Sequence, residues 1–407
     1  MMEPPQSRPL TIHLIAAEES GDALGAALAR ALVENEHGAV RLAGVGGRRM
    51  AGAGIASPFP IDELSIIGVT AIPRRLPMIL RRIRETADAV IAARPDALVI
   101  IDSPDFTHRV ARRVRRRAPS IPIIDYVSPT VWAWRPWRAR AMRRYVDRVL
   151  AILPFEPAAH ERLGGPPCVY VGHPLIERVA ALRPNADEKQ RRDRDPPLIL
   201  VLPGSRASEI RRLLPIFGAA IGRVAARLGA IDLVLPTVPH LLARVHERVA
   251  GWPVQPRIVV ESTEKWAQFR KARAALAASG TVTLELALAG IPTVAAYRIP
   301  AIEHIVAQAA RLPELFSIIL ANLVLGENIV PELLQRDCTS EKLADALMPL
   351  IVDTPARRRQ IEAFGRLDSI MGIGSAAPSS KAAAIVLDLA RRGRSAMTEA
   401  GGMAPSW

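Results

Sequence analysis

Cysteine is nearly missing from this 407-residue chain: Cys168 and Cys338 are the only two, and they fall in different halves. That argues against a disulfide framework and, without metal-ligand spacing, against a zinc site, and it points to a reducing compartment. Long uncharged runs are missing as well. No stretch has the length of apolar residues that a bilayer-spanning helix needs, and the opening MMEPPQSRPLTIHLIAAEE places no basic region ahead of a long apolar core. Neither a membrane span nor an export signal is therefore expected. Lysine is scarce, so the net charge of +14 rests almost entirely on arginine, whose planar fork favours bidentate contacts with phosphates and headgroups. The arginines are dispersed over many predicted helices. A nucleic-acid groove would need them clustered, and many are simply solvated helix faces.

What is present is a large apolar fraction, 49% of the residues, in a chain longer than one core usually supports. Two domains are expected. Strand-like runs alternate with helical patterns through Thr11–Ala16, Arg41–Val45, Ala97–Ile101, Ile121–Tyr126, Arg148–Leu153 and Val169–Val171. The second half repeats the alternation through Leu198–Leu202, Ile231–Leu235, Ile258–Glu261, Ala274–Ala278 and Thr293–Tyr297. Alternation of this kind predicts α/β architecture with parallel sheets: two Rossmann-like domains facing across a cleft, with ligand at the carboxyl ends of the strands. The polar, proline-rich stretch 183–197 reads as a linker, dividing an N-terminal domain, 1–182, from a C-terminal domain, 198–365. A helical segment, 366–392, and a disordered tail, 393–407, complete the expected organisation.

Two loops in the second half suggest a diphosphate. In LPGSR an apolar strand breaks at Pro-Gly, so backbone N–H groups near Gly204 and Ser205 can face an anion while Arg206 adds a charged fork. An ordinary strand-to-helix turn would look the same, and the tetrapeptide alone is weak. The second loop, ASGTVTLE, strengthens it: Ser279, Gly280 and Thr281 occupy cap positions, and Glu285, one turn on in an apolar helix, could accept from ribose hydroxyls.

In the first half, carboxylates gather at two strand ends. Glu18, Glu19, Ser20, Gly21 and Asp22 follow the first strand, and Asp102, Ser103, Pro104 and Asp105 follow the third. Asp102 is favoured as a general base towards a hydroxyl nucleophile, with Asp105 better suited to capping the next helix. Glu18 and Asp22 equally suit N-terminal helix charges without a chemical role. VSPTVWAWRPWRARAM crowds Trp132, Trp134 and Arg135 into one loop, a combination that can stack on a sugar, sit at a membrane interface or merely pack. His173 follows another strand end and is a secondary candidate. Ser65–Arg84, SIIGVTAIPRRLPMILRRIR, mixes bulky aliphatics with arginine pairs, and serves equally as an interfacial element or as an amphipathic helix covering the sheet.

In order and across nearly the whole chain, AEESGD, GVGGRRM, IDSPDF, VSPTVWAWR, LPFE, GHP, LPGSR, ASGTVTLE and ANLVLGENIVPELLQ resemble the lipid-A-disaccharide synthases. The resemblance implies a GT-B glycosyltransferase, without cofactor or metal, that joins UDP-2,3-diacylglucosamine to 2,3-diacylglucosamine 1-phosphate with inversion. It further implies peripheral binding at the cytoplasmic face of the inner membrane, and it permits a homodimer. By position it carries the nucleotide site onto Gly204, Ser205, Arg206, Ser279, Gly280, Thr281 and Glu285, and the base onto Asp102. Glu18 matches the first acidic motif, and Asn322 lies in the ANL motif. Several positions depart from the family pattern: Ala17 and Glu19 stand where Gly and Ala are usual, Ile67 where Met is common, Ala71 where a Glu is expected, and Ala321 where Pro often precedes Asn322. The alternatives are another GT-B enzyme of UDP-sugars, such as a UDP-N-acetylglucosamine 2-epimerase or a peptidoglycan glycosyltransferase, and a basic nucleic-acid-binding protein.

Overall fold

The computed structural model describes residues 8–64, 72–298 and 316–402. Contacts divide the chain into two compact units, one of residues 1–174 with 375–407, the other of residues 175–374.

The first unit is built on a six-stranded parallel sheet ordered β2-β1-β3-β4-β5-β6. Its strands are β1 (Leu10–Ala16), β2 (Val40–Val45), β3 (Ala97–Ile101), β4 (Ile123–Tyr126), β5 (Arg148–Ala151) and β6 (Cys168–Tyr170). β3 and β4 are buried at every residue. A parallel strand covered by helices on both faces must be continuously apolar, which is why ALVII reads as an unbroken run. The helices include α1 (Glu19–Asn35), the single-turn α2 (Arg48–Ala51), α3 (Ile72–Ala93), α4 (Pro104–Arg117), α5 (Trp137–Met142) and α6 (Glu156–Arg162). α1 turns Leu24, Leu28, Ala31 and Leu32 to the core at helical spacing, and each fully buried leucine stabilises by roughly 1.5–3 kcal/mol. The chain order puts β2 on one side of β1 and β3 on the other. The loops after β1 and β3 thus flank the point where winding reverses, the place where open α/β sheets bind ligands.

The second unit repeats the plan in the order β12-β11-β10-β7-β8-β9. It comprises β7 (Leu198–Leu202), β8 (Asp232–Pro236), β9 (Arg257–Val259), β10 (Ala274–Ala278), β11 (Thr293–Tyr297) and β12 (Glu332–Leu334). Winding reverses here between β7 and β10, whose loops are the two expected phosphate loops. The helices are α7 (Val179–Leu182), α8 (Ala186–Arg192), α9 (Ala207–Leu228), α10 (Leu242–Val249), α11 (Ser262–Lys271) and α12 (Thr281–Leu288), followed by Leu320–Leu325, Ser340–Ile351, Pro355–Gly365 and Leu367–Met371. β12 is the one strand absent from the expected set, a three-residue edge too short to show alternation.

Three boundaries differ from expectation. The supposed linker 183–197 belongs to the second unit and contains α8, started by a capping box in which Asn185 accepts from Glu188 N and Glu188 accepts from Asn185 N. Arg192 at its end is buried against the carbonyls of Phe269, Arg270, Ala289 and Gly290, at 2.9–3.2 Å. Charge that reads as solvated is here stapling backbone. The segment 366–392 is also not one body, because Leu367–Met371 stays with the second unit while the helix Pro378–Gly402 returns to the first. There Ala382, Ala383, Val386, Leu387 and Ala390 join the core beside α1. The helix runs to Gly402, through most of the expected tail; residues 403–407 lie outside the described set.

No described helix is long and apolar enough to cross a membrane. Of the interfacial stretch, residues 65–71, including Ile66, Ile67, Val69 and Ala71, lie outside the described residues. From Ile72 it is the start of α3, with Leu76 and Leu80 exposed.

Candidate functional site

At the first reversal point, Ser20 Oγ donates to Asp102 Oδ2 at 2.8 Å, and Ser103 N donates to Asp102 Oδ1 at 2.7 Å. Asp102 and Ser103 both adopt left-handed backbone, φ 53° and 47°, a conformation costly for side chains other than glycine's and concentrated where sites need it. Two further bonds hold the turn: Asp102 N donates to Tyr126 O at 3.1 Å, and Thr107 Oγ1 donates to Asp102 O at 2.7 Å. The strain places the carboxylate at the carboxyl end of β3 beside the start of α1. Glu18, at the N-cap of α1, makes no side-chain cap bond and is exposed.

Asp22 does something other than its expected substrate-binding role. It is buried and accepts from Gly47 N, Arg49 N and Met50 N at 2.7–3.0 Å, so it caps α2 and ties the GVGGRRM turn to α1. Gly47 is required for that approach, since a Cβ there would lie 2.8 Å from Asp22 Oδ2.

The tryptophans separate. Trp132 faces inward: its Nε1 donates to Glu156 Oε1 at 3.2 Å, and its ring meets Phe155 edge-on at 5.1 Å. Burial pushes the Glu156 carboxyl up to about 7. Trp134 is exposed with the Arg135 guanidinium 5.1 Å from its ring centre, so of these two tryptophans it is the one open to a ligand. His173 is buried, and desolvation lowers it to about 4, leaving a neutral ring inside the first unit.

The second reversal point is a pocket of about 340 Å³ lined by Gly204, Ser205, Arg206, Glu209, Lys265, Ser279, Gly280 and Thr281. Both expected loops meet there, but the first is already occupied. Glu209, in the first turn of α9, accepts from Ser205 N at 3.0 Å and Arg206 N at 3.2 Å, and its other oxygen accepts from Arg206 Nη1 at 3.0 Å. The Ser205 amide expected to face a phosphate, and that of Arg206 after it, are thus satisfied by a carboxylate from the same chain. Gly204, at φ 104°, makes room for it, since a Cβ would lie 2.1 Å from Glu209 Oε2. What remains for an anion on this loop is the Arg206 guanidinium, 75% exposed, with the Ser205 hydroxyl. On the second loop, the first amides of α12, those of Thr281 and Val282, have no intrahelical acceptor. With the positive end of the helix dipole behind them, they form the better anion cradle.

Glu285 is not free for a ribose either. Lys265 Nζ donates to its Oε2 at 2.6 Å, which brings a cation into the pocket wall that nothing in the sequence singled out. Glu209, by contrast, was legible: three residues after Arg206, it stands at the capping-box spacing. Asn322 is fully buried and fully spent, donating to Val330 O and Glu332 Oε1 and accepting from Ile329 N and Val330 N at 2.8–3.0 Å. It fastens the NLVLGENIV loop and has no valence left for substrate.

A family model described as lipid-A-disaccharide synthetase matches residues 12–383. The chain belongs to the lipid-A-disaccharide synthase family. A lipid-A-disaccharide synthase of Nitrobacter hamburgensis is 62% identical over 93% of this chain and 95% of that one, and one of Bradyrhizobium diazoefficiens is 61% identical over 94% and 97%. Among solved structures, a Staphylococcus aureus MnaA–UDP co-structure superposes with TM-score 0.61 at 13% identity, covering 91% of this chain and 94% of that one. Acinetobacter baumannii MurG superposes with TM-score 0.56 at 14% identity over 93% and 100%. At such identity these neighbours establish the GT-B fold and nothing of substrate. The family's members are glycosyltransferases, so a UDP-sugar and a lipid phosphate are this chain's substrate classes.

Proposed function

We propose that this chain condenses UDP-2,3-diacylglucosamine with 2,3-diacylglucosamine 1-phosphate, releasing UDP and forming the β-1,6-linked disaccharide 1-phosphate with inversion at the donor carbon. Asp102 takes the proton of the acceptor's 6-hydroxyl as that oxygen attacks the anomeric carbon, and the bond to UDP breaks on the opposite face. The observation that carries this reading is the strained, doubly hydrogen-bonded Asp102 at a winding reversal, an orientation suited to a base that must meet one hydroxyl. The leaving diphosphate is neutralised by Arg206, Lys265 and the first amides of α12. These groups are in place before charge develops, which is the condition for electrostatic stabilisation without reorganisation.

The acylated substrates favour a chain that works at the cytoplasmic surface of the inner membrane, with exposed Leu76 and Leu80 on α3 as the described part of the contact. Arg82 supports it only indirectly, because it is paired with Glu63 at 2.7 Å and Glu85 at 2.9 Å. The homodimer that the family permits is part of the same proposal. Incubation with both lipid precursors, with mass detection of the disaccharide phosphate and of UDP, tests the reaction. Folded protein that binds UDP but yields no disaccharide would overturn it and bring the epimerase reading forward.

A further inference from the structure

Beside Asp102, on the outer side of α4, lies a second pocket, of about 100 Å³. Its wall combines Arg109 and Arg112 of α4, Trp137 and Arg138 of α5, and the buried His108 and Tyr145, and it begins at Pro104 and Asp105, directly after the Asp102–Ser103 turn. A volume far below the roughly 300–1,000 Å³ of whole-ligand pockets suits a single charged group.

The charges facing it are unusual for these helices. On α4, Arg113 and Arg117 are neutralised by Asp88, and Arg115 by Asp147. Arg109 has no acidic partner among the described residues. Arg112 donates to the Tyr145 hydroxyl at 3.1 Å and lies 4.7 Å from its ring centre. Arg138 reaches only Asp105, at 3.4 Å, and that side chain is 85% exposed. Of the α4 arginines outside the pocket, Arg113, Arg115 and Arg117 each face an acid and Arg116 reaches only the Arg112 carbonyl, at 3.4 Å, whereas those lining the pocket have no acid of their own helix beside them. Behind the wall, the fully buried Asp125 accepts no well-formed hydrogen bond and has His108 Nε2 at 3.3 Å, while His108 Nδ1 lies 3.1 Å from the Tyr145 hydroxyl. This polar chain runs from the core to Arg112 and fixes the Tyr145 hydroxyl beneath it.

From this geometry we infer that the pocket is a phosphate site and that its occupant is the phosphate monoester of the acceptor. Planar guanidinium forks match phosphate oxygens in pairs. The inference rests on the proposed reaction for its occupant: a phosphate held here, on the helix that begins directly after the Asp102–Ser103 turn, would position the acceptor sugar so that its far hydroxyl meets Asp102.

The test uses the full-length chain, the exposed-site variants Arg109→Gln and Arg109→Gln/Arg112→Gln, and Arg117→Gln as a control outside the pocket. Glucose 1-phosphate binding by isothermal titration should fall about tenfold or more in the double variant and hold in the control. KM for the phosphorylated acceptor should rise by a similar factor with kcat near its original value, while KM for a dephosphorylated acceptor and the affinity for UDP stay unchanged. A KM that rises equally for both acceptors, or unchanged glucose 1-phosphate binding, overturns the inference. Reduced sedimentation with anionic vesicles at unchanged acceptor KM also overturns it, by assigning the arginines to lipid headgroups. Should the chain form no disaccharide at all, the proposed reaction falls on its own. The titration then still decides whether a phosphate site exists, and the assignment of its occupant to the acceptor is lost.

Discussion

The Ser20 hydroxyl donates to Asp102 across 2.8 Å, linking the loop after β1 to the loop after β3. These are neighbouring strands reached in opposite winding directions, so the bond closes the reversal point of the first sheet. Asp102 is thereby fixed from two sides, by a side chain of α1 and by the amide of its own neighbour.

Replacing Asp102 by Asn keeps the shape and removes the proton acceptor. Turnover should fall roughly a hundred- to ten-thousand-fold, the usual worth of general base catalysis, with UDP affinity unchanged. Ser20→Ala leaves the base in place and loosens it, for which a smaller loss of about tenfold in kcat is expected. Steady-state kinetics with a parallel UDP titration separates the two effects, and wild-type turnover in Asp102→Asn removes it as the base.

The strand alternation and the strand-end loops were readable in the chain because the central strands are buried on both faces and must be apolar throughout, as LILVL and ALVII are. The loops gather as expected for the same reason, since parallel strands deliver all their carboxyl ends to one edge. What could not be read was which polar groups would consume one another. Lys265 takes Glu285, Asp22 takes three amides of the GVGGRRM turn, and Asn322 is spent on backbone and Glu332; each pairing joins atoms that only the folded chain brings together. The sequence pattern also misplaces a boundary at 183–197, because Arg192 satisfies four buried carbonyls and looks, as text, like a solvated charge.

Glu209 gives the diphosphate pocket a test with a sign. If its carboxylate is a fixed part of the loop that holds Arg206 in place, Glu209→Gln should weaken UDP binding several-fold, and the effect should vanish in an Arg206→Ala background, because the two residues act through one contact. Arg206→Ala alone should cost about tenfold or more, the worth of a charge-assisted bond. If the carboxylate instead holds a place for the phosphate, Glu209→Gln tightens UDP binding. Three donors of the loop converge on the Glu209 carboxylate at 3.0–3.2 Å, which favours the first outcome. Titration calorimetry on the three variants decides it.

The membrane contact can be separated from the arginine pairs around it. Leu76 and Leu80 are exposed on α3, whereas Arg82 is engaged by Glu63 and Glu85. Leu76→Glu/Leu80→Glu should therefore abolish sedimentation with anionic vesicles while leaving UDP affinity intact, since burying carboxylates in the headgroup region is unfavourable and repels anionic lipid. Arg82→Glu should act on folding more than on binding. Undiminished sedimentation of the leucine variant would place the contact elsewhere.

Two buried groups of the first unit should oppose each other in the pH dependence of stability. Burial lowers His173 from 6.5 to about 4. The unfolded chain therefore binds the proton more tightly, and the stability this gives, complete above pH 6.5, is lost as pH falls towards 4. Glu156 is raised from 4.5 to about 7, so its contribution is complete below pH 4.5 and is lost as pH rises through 7. Each shift corresponds to about 3 kcal/mol at most, and between pH 4.5 and 6.5 the two slopes largely cancel. His173→Gln removes one of them. Relative to the parent chain, the variant should gain stability progressively on acidification from pH 6.5 to 4, whatever its packing loss at pH 7. Urea midpoints measured across that range check it. Parallel profiles for the two proteins would mean that His173 titrates alike in the folded and unfolded states, contrary to its burial.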